Sequence, residues 1–170
     1  VNANGWIGWD NTNENAWLNS ELPSQSAPRP AIFGFWDDLN PNNDDGNTNS
    51  AGDIFYHVDQ DRAVIWFNDI VRWNQDDWGQ FDFQIVLYAD GSFCTNYREM
   101  NGVVNSGTIG FQNSDGTMAT QIAANEAFIS SGYTWKADVS DEDVPWMILS
   151  SSSGNLSGVL FGGESTEIYV

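Results

Sequence analysis

One cysteine, one lysine and one histidine occur in 170 residues, and each scarcity removes a class of chemistry. A lone Cys94 allows no intrachain disulfide, so covalent cross-links do not hold this fold. It lies in the strand-like run Ser92-Phe93-Cys94-Thr95 with no histidine beside it, and reads as a small buried hydrophobe rather than a nucleophile. A lone His57 excludes the usual histidine-ligated zinc sites. Any Ser-His-Asp triad must use it, and no Gly-x-Ser-x-Gly elbow exists to present the serine. The single lysine, Lys136, and four arginines face 24 acids, a net charge of −19. A field of that sign repels phosphate backbones and anionic lipid, so neither nucleic acid nor a membrane is an expected partner. No run reaches the ~20 apolar residues that cross a bilayer. The chain begins at Val1, with no signal peptide, as expected of a processed form or an excised piece.

What the chain has in quantity is aromatic side chains, nine of them Trp, set between Asn, Asp, Gly and Ser clusters. No window repeats apolar residues at helical spacing. Short runs rich in Val, Ile, Phe, Tyr and Trp, bounded by turn residues, predict strands over 6–9, 31–36, 54–58, 63–68, 81–88, 92–97, 107–112, 120–123 and 133–137. Further strands are expected over 146–149, 158–161 and 167–170. Asp90-Gly91 between two such runs predicts a hairpin with a type I′ turn. Residues 59–61 predict a short polar hairpin tip, and 113–116 another turn. The weak helix candidate over 121–128 is set aside for its β-rich surroundings. The fold class is therefore all-β: an antiparallel two-sheet, jelly-roll-like β-sandwich over residues 1–136. Residues 137–144 are polar and acidic, like a linker. Residues 145–170 read as a partial second β unit, or as strands packing back on the sandwich, because so short a segment buries too little surface to fold alone.

The order of certain segments resembles a known family. Pro30-Ala31-Ile32-Phe33-Gly34-Phe35-Trp36-Asp37-Asp38-Leu39-Asn40-Pro41 is followed by Asp53-Ile54-Phe55-Tyr56 and Ala63-Val64-Ile65-Trp66-Phe67-Asn68. Then come Phe83-Gln84-Ile85-Val86-Leu87-Tyr88-Ala89-Asp90-Gly91 and Thr108-Ile109-Gly110-Phe111-Gln112. This resembles a β-sandwich accessory module of large secreted bacterial proteins, and more distantly the nidogen-type extracellular domain. Pro145, Trp146, Ser150, Ser153, Gly154, Gly162 and Gly163 resemble the start of a bacterial immunoglobulin-like domain. The resemblance implies a secreted or cell-surface location, and neighbouring modules of the same chain as partners. It implies no catalytic residue here.

Two sites are candidates from the residues themselves. Asp37, Asp38, Asn40, Asn42, Asp44, Asp45, Asn47 and Asp53 gather hard oxygen donors around the turn-permitting Gly46, which suits Ca²⁺. The spacing is not that of an EF-hand, and the competing reading is a solvated turn. Trp73 and Trp78 bracket Asn74, Gln75, Asp76 and Asp77 in a polar loop. Flat rings beside amide and carboxylate hydrogen-bonders suit a sugar or a peptide segment, while the competing reading is a hydrophobic plug at the sandwich end. Trp6 and Trp9 sit three apart on a strand and face opposite sides, so Trp9 joins the candidate ligand-binding residues. Trp36 and Trp66 read as core.

Catalysis is the weaker expectation. Asp37 and Asp38 form the best acid pair, but neighbours on an extended chain point opposite ways, and Glu14, Glu21 and Glu99 lie in loops or past a strand end. The chain therefore reads as a non-catalytic extracellular recognition module for a polysaccharide or an extracellular protein, with Ca²⁺ as a stabilising ion. The alternatives are a structural spacer or adhesin module, and a glycan-active hydrolase.

Overall fold

The computed structural model describes residues 1–10, 13–41, 51–73 and 79–139, and the strand 147–151. Two antiparallel sheets pack face to face as a β-sandwich, and no helix occurs among the described residues. The smaller sheet runs β1-β2-β8-β9, formed by Trp6–Gly8, Ala31–Trp36, Thr108–Gln112 and Ala119–Ala124. The strand β9 takes in the first half of the weak helix candidate over 121–128, and residues 125–128 are neither helix nor strand. The larger sheet runs β11-β10-β7-β6-β5, formed by Met147–Ser151, Tyr133–Val139, Phe93–Gly102, Gly79–Tyr88 and Arg62–Arg72. Its last edge is shared by β3 (Leu39–Asn40) and β4 (Asp53–Val58), which both pair with β5.

Alternation along the strands fixes the core. Ile65, Phe67, Phe83, Ile85, Tyr97, Tyr133 and Trp135 face inward from the larger sheet and meet Ile7, Ile32, Phe35, Ile109 and Ile122 of the smaller. At the centre Gly34 lets the sheets approach closely: a Cβ there would stand 3.0 Å from atoms of Ile85 and Phe83. The Tyr97 hydroxyl donates to the Gly34 carbonyl at 2.6 Å and accepts from the Trp135 indole at 3.1 Å, a buried polar bridge between the layers.

β2 is buried at all six positions because it is covered on both faces. A second cluster of Trp6, Leu22, Ala27, Ala31, Phe33 and Trp36 lies on its other side, under the long loop joining β1 to β2. Side chains of the sheet hold that loop down. Gln112 accepts from the Ser24 amide and donates to the carbonyls of Ser24 and Pro28. Gln121 accepts from the Leu22 amide, and the Thr108 hydroxyl donates to the Ser20 carbonyl. The molecule is thus a sandwich with a third, irregular layer.

Three local expectations change. The 88–93 hairpin is not type I′: only Gly91 has a positive φ (91°), and Asp90 does not. The Gly91 amide bonds to the Tyr88 carbonyl and the Tyr88 amide to the Ser92 carbonyl, so the turn closes before Gly91 and the glycine takes the left-handed position after it. Asp90 instead accepts from the Ser92 amide and hydroxyl. Trp66 is not core. It shares the outer face of the larger sheet with Phe55 and Gln84, because Ile65 and Phe67 take the inward positions on either side. Finally, β10 runs to Val139, and β11 pairs with it from Trp135↔Ser151 to Val139↔Met147, so residues 137–139 of the expected linker are strand. Residues 140–146 and 152–170 lie outside the described residues.

Candidate functional site

The irregular layer presents a shallow cleft of about 630 Å³ lined by Asn13, Glu14, Asn15, Trp17, Leu18 and Asn19, with Trp36 at its edge. Its construction starts in the second core cluster. Trp6 and Trp36 are buried, and each must satisfy an indole N–H away from water. Both donate to one acceptor, the Ala16 carbonyl, at 3.2 and 3.0 Å. Asn13 donates its side-chain amide to the carbonyls of Ser26 and Ala27, and its own carbonyl accepts the Ala16 amide. Asn2 donates to the Glu14 carbonyl, and Asn19 to the hydroxyl of Thr108 and the side-chain oxygen of Asn125. The backbone on both sides of Trp17 is therefore held from several directions.

The Trp17 side chain itself is left in solvent, 54% exposed, with Leu18 beside it. Among the described residues no other ring or cation lies against that indole. Glu14 and Asn15 are exposed next to it, and among the described residues Glu14 is the one carboxylate in the lining. A flat ring carried on a held backbone and flanked by amide and carboxylate hydrogen-bonders offers apolar contact to C–H surface and polar contact to hydroxyls.

The residues singled out from the sequence fall in three places. Trp9 is 59% exposed, just past the end of β1, while Trp6 is buried. Trp73 follows β5 and is partly exposed, its amide bonded to the Asp38 carbonyl at 2.7 Å. Asn74, Gln75, Asp76, Asp77 and Trp78 lie outside the described residues, as do Asn42, Asp44, Asp45 and Asn47.

Of the remaining oxygen donors, Asp37 is buried and already engaged on both oxygens. Oδ1 meets Arg72 at 3.0 Å and accepts the Asp38 amide, and Oδ2 accepts the Ser106 hydroxyl at 2.6 Å. Burial still pushes its carboxyl above the ordinary range, against the lowering pull of Ser106 and Arg72. Asp38 is raised as well, by partial burial and by the neighbouring Asp37. Asn40 is buried in β3, and Asp53 is exposed at the start of β4. Among the described residues, no three His, Cys, Asp or Glu side chains come together as a metal cage.

A second depression, about 370 Å³, lies on the outer face of the larger sheet among Phe55, His57, Arg62, Trp66, Gln84, Tyr88 and Asn96. Its rings are partly capped from within the protein. The Arg98 guanidinium sits 5.5 Å over Trp66, and Lys136 lies 5.7 Å over Tyr88. The Trp66 indole donates to Asp82 at 3.0 Å, and Asp82 pairs with Arg98 at 2.6 Å.

Trp17 carries no signal in the sequence beyond being one aromatic in a polar stretch. What marks it is the convergence of two indoles from other segments on the residue before it, and that exists only in the folded chain.

A family model for "NIDO related" proteins matches residues 1–143. No curated protein and no solved structure matches the chain. The matched span takes in both sheets apart from the final strand, together with the loop layer and the cleft beside Trp17, and the chain belongs to the NIDO-related family.

Proposed function

We propose that this domain is a non-catalytic extracellular recognition module that holds its parent protein on a polysaccharide, with the cleft beside Trp17 as the ligand site. One observation carries the reading: an exposed indole stands on backbone that two buried indoles and several side-chain amides hold in place. Such pre-ordering reduces the entropy lost on binding, so more of the contact energy appears as affinity. Among the described residues the lining holds one carboxylate, which supports binding over glycoside hydrolysis, a reaction that uses two across the scissile bond. The net charge of −19 favours neutral sugars, since uronate-rich or sulfated chains would be repelled.

The test is affinity electrophoresis of the intact chain through gels holding neutral or acidic polysaccharides, then calorimetry on any that retard it. Trp17→Ala, a change at an exposed side chain, is expected to keep the melting temperature and weaken binding by about 2 kcal/mol, roughly thirtyfold. Retention of full affinity by the folded variant would remove the cleft from the site. Failure of every neutral polysaccharide to retard the wild type would overturn the ligand class.

A further inference from the structure

The strand β4 is an open edge. Among the described residues it hydrogen-bonds to β5 alone, and no described strand pairs its other side. Exposed edges are usually blunted by lysine, proline or a bulge. The run Ile54-Phe55-Tyr56-His57-Val58 has none of these, and Phe55, Tyr56 and Val58 are 48%, 81% and 65% exposed. The direction of its backbone groups follows from the register. The Asp59 amide bonds to the Arg62 carbonyl at 3.0 Å, so the odd-numbered residues of β4 bond toward β5. The N–H and C=O groups of Ile54, Tyr56 and Val58 therefore point to the open side.

We propose that a second copy of this chain pairs there, β4 against β4, antiparallel about a two-fold axis through Phe55. This inference is independent of the ligand cleft. Three features favour the second copy in this register. Outward-pointing residues must pair with outward-pointing residues, and Ile54 then meets Tyr56 of the second copy in a hydrogen-bonded pair. Phe55 meets its own equivalent in a non-hydrogen-bonded pair. On the outer face the tilted Phe55–Trp66 contact, 5.5 Å between centroids, continues into the second copy's rings. Charge then selects the register. Asp53 faces the second copy's His57, whereas sliding the strands by two residues, with Tyr56 on the axis, sets Asp53 against the second copy's Asp59. Like charges opposite each other on paired strands are destabilising. The favoured register thus sets Asp53 against a histidine, which lies 3.6 Å from Asp59 of its own chain, and keeps the carboxylates of the two copies apart.

Sedimentation velocity over a concentration series is the first measurement. A monomer–dimer equilibrium is expected, strengthening as salt screens the net charge. The exposed Tyr56→Lys variant is expected to stay folded by circular dichroism and to sediment as monomer. Disulfide trapping in a Cys94→Ser background tests the register. Across a non-hydrogen-bonded antiparallel pair the Cα atoms lie about 4.5 Å apart, within disulfide range. Phe55→Cys should cross-link to its copy on mild oxidation, and Tyr56→Cys, though more exposed, should not. A wild-type chain that stays monomeric at every concentration and salt, an undiminished dimer in folded Tyr56→Lys, or equal cross-linking of the two cysteine variants would each overturn the proposal.

Discussion

Trp36 donates its indole N–H to the Ala16 carbonyl across 3.0 Å, and in doing so fixes the backbone beside an exposed tryptophan it does not touch through its own ring stack. Its stacking partner is Phe33, at 4.9 Å. Trp36→Phe keeps that stack and removes the donor. Because Trp6 still serves the Ala16 carbonyl, the expected loss of stability is moderate, about 2 kcal/mol from the smaller ring and the lost bond. Amide exchange at Ala16 and Trp17 should rise more than exchange in β6 or β7. Equal protection of that loop in the variant would show that the indole bond does not order it.

Tyr97 joins the two sheets through one hydroxyl, donating to the Gly34 carbonyl and accepting from Trp135. Complete burial pushes its phenol far above the ordinary range, so it is a fixed donor at any working pH. Tyr97→Phe leaves a buried carbonyl and a buried indole N–H without this partner. The expected cost is about 1–3 kcal/mol for each group left unpaired, read from urea unfolding midpoints at unchanged slope.

Asp37, Asp38 and Asp82 all have carboxyls raised by burial. A raised group is protonated more readily in the folded chain than in the unfolded one. Its contribution is full below the ordinary carboxylate pKa and is lost as pH rises through the folded value. Asp59, Asp90 and Asp115, held low mainly by hydrogen bonds from neighbouring residues, act oppositely: their contribution fades as pH falls through their folded values. The melting temperature should therefore be higher near about pH 5 than near about pH 8. Arg72→Met sharpens the test. It leaves the Asp37 carboxylate buried without its counter-charge, which should cost about 3 kcal/mol at neutral pH and much less in acid, where the carboxyl is protonated. A penalty independent of pH would place the role of Arg72 in packing.

Gly34→Ala places a methyl 3.0 Å from Ile85 and Phe83, closer than side chains accept without moving. Overpacking of this kind costs about 1–3 kcal/mol. Ile85→Val in the same chain should recover part of it, and an additive loss in the double variant would argue against contact between the sheets at this point.

Most strands were legible because alternation and turn residues mark them, as in β4, β6 and β8. The extensions were not. β5 continues from Asn68 to Arg72 through a bulge where Asp69 takes a positive φ of 53°, so Phe67 and Ile70 face the same side three residues apart. That spacing breaks the two-residue period on which a strand is recognised. The second half of β7, Arg98-Glu99-Met100-Asn101-Gly102, is too polar to read as a strand, yet it pairs with β6 up to Gly79↔Gly102. Trp66 misleads for a related reason: a large apolar residue between two core residues must point the other way, and its burial there comes from Arg98 and Phe55. The cleft was invisible because its supports, Trp6 and Trp36, lie ten and twenty residues from Ala16 and act through hydrogen bonds that no local pattern encodes.

The double coverage of β2 has a consequence for how the chain reaches this structure. Its hydrogen-bonding neighbours are a three-residue strand and β8, whose partner positions begin at Ala31↔Gln112. During synthesis, the most continuously apolar strand emerges early and waits for a segment made some eighty residues later. Until β8 arrives, one long edge of β2 is open to other chains. Refolding yield should accordingly fall with protein concentration. The segment from Ala31 to Trp36 is where a chaperone, or another unfinished copy, would first take hold.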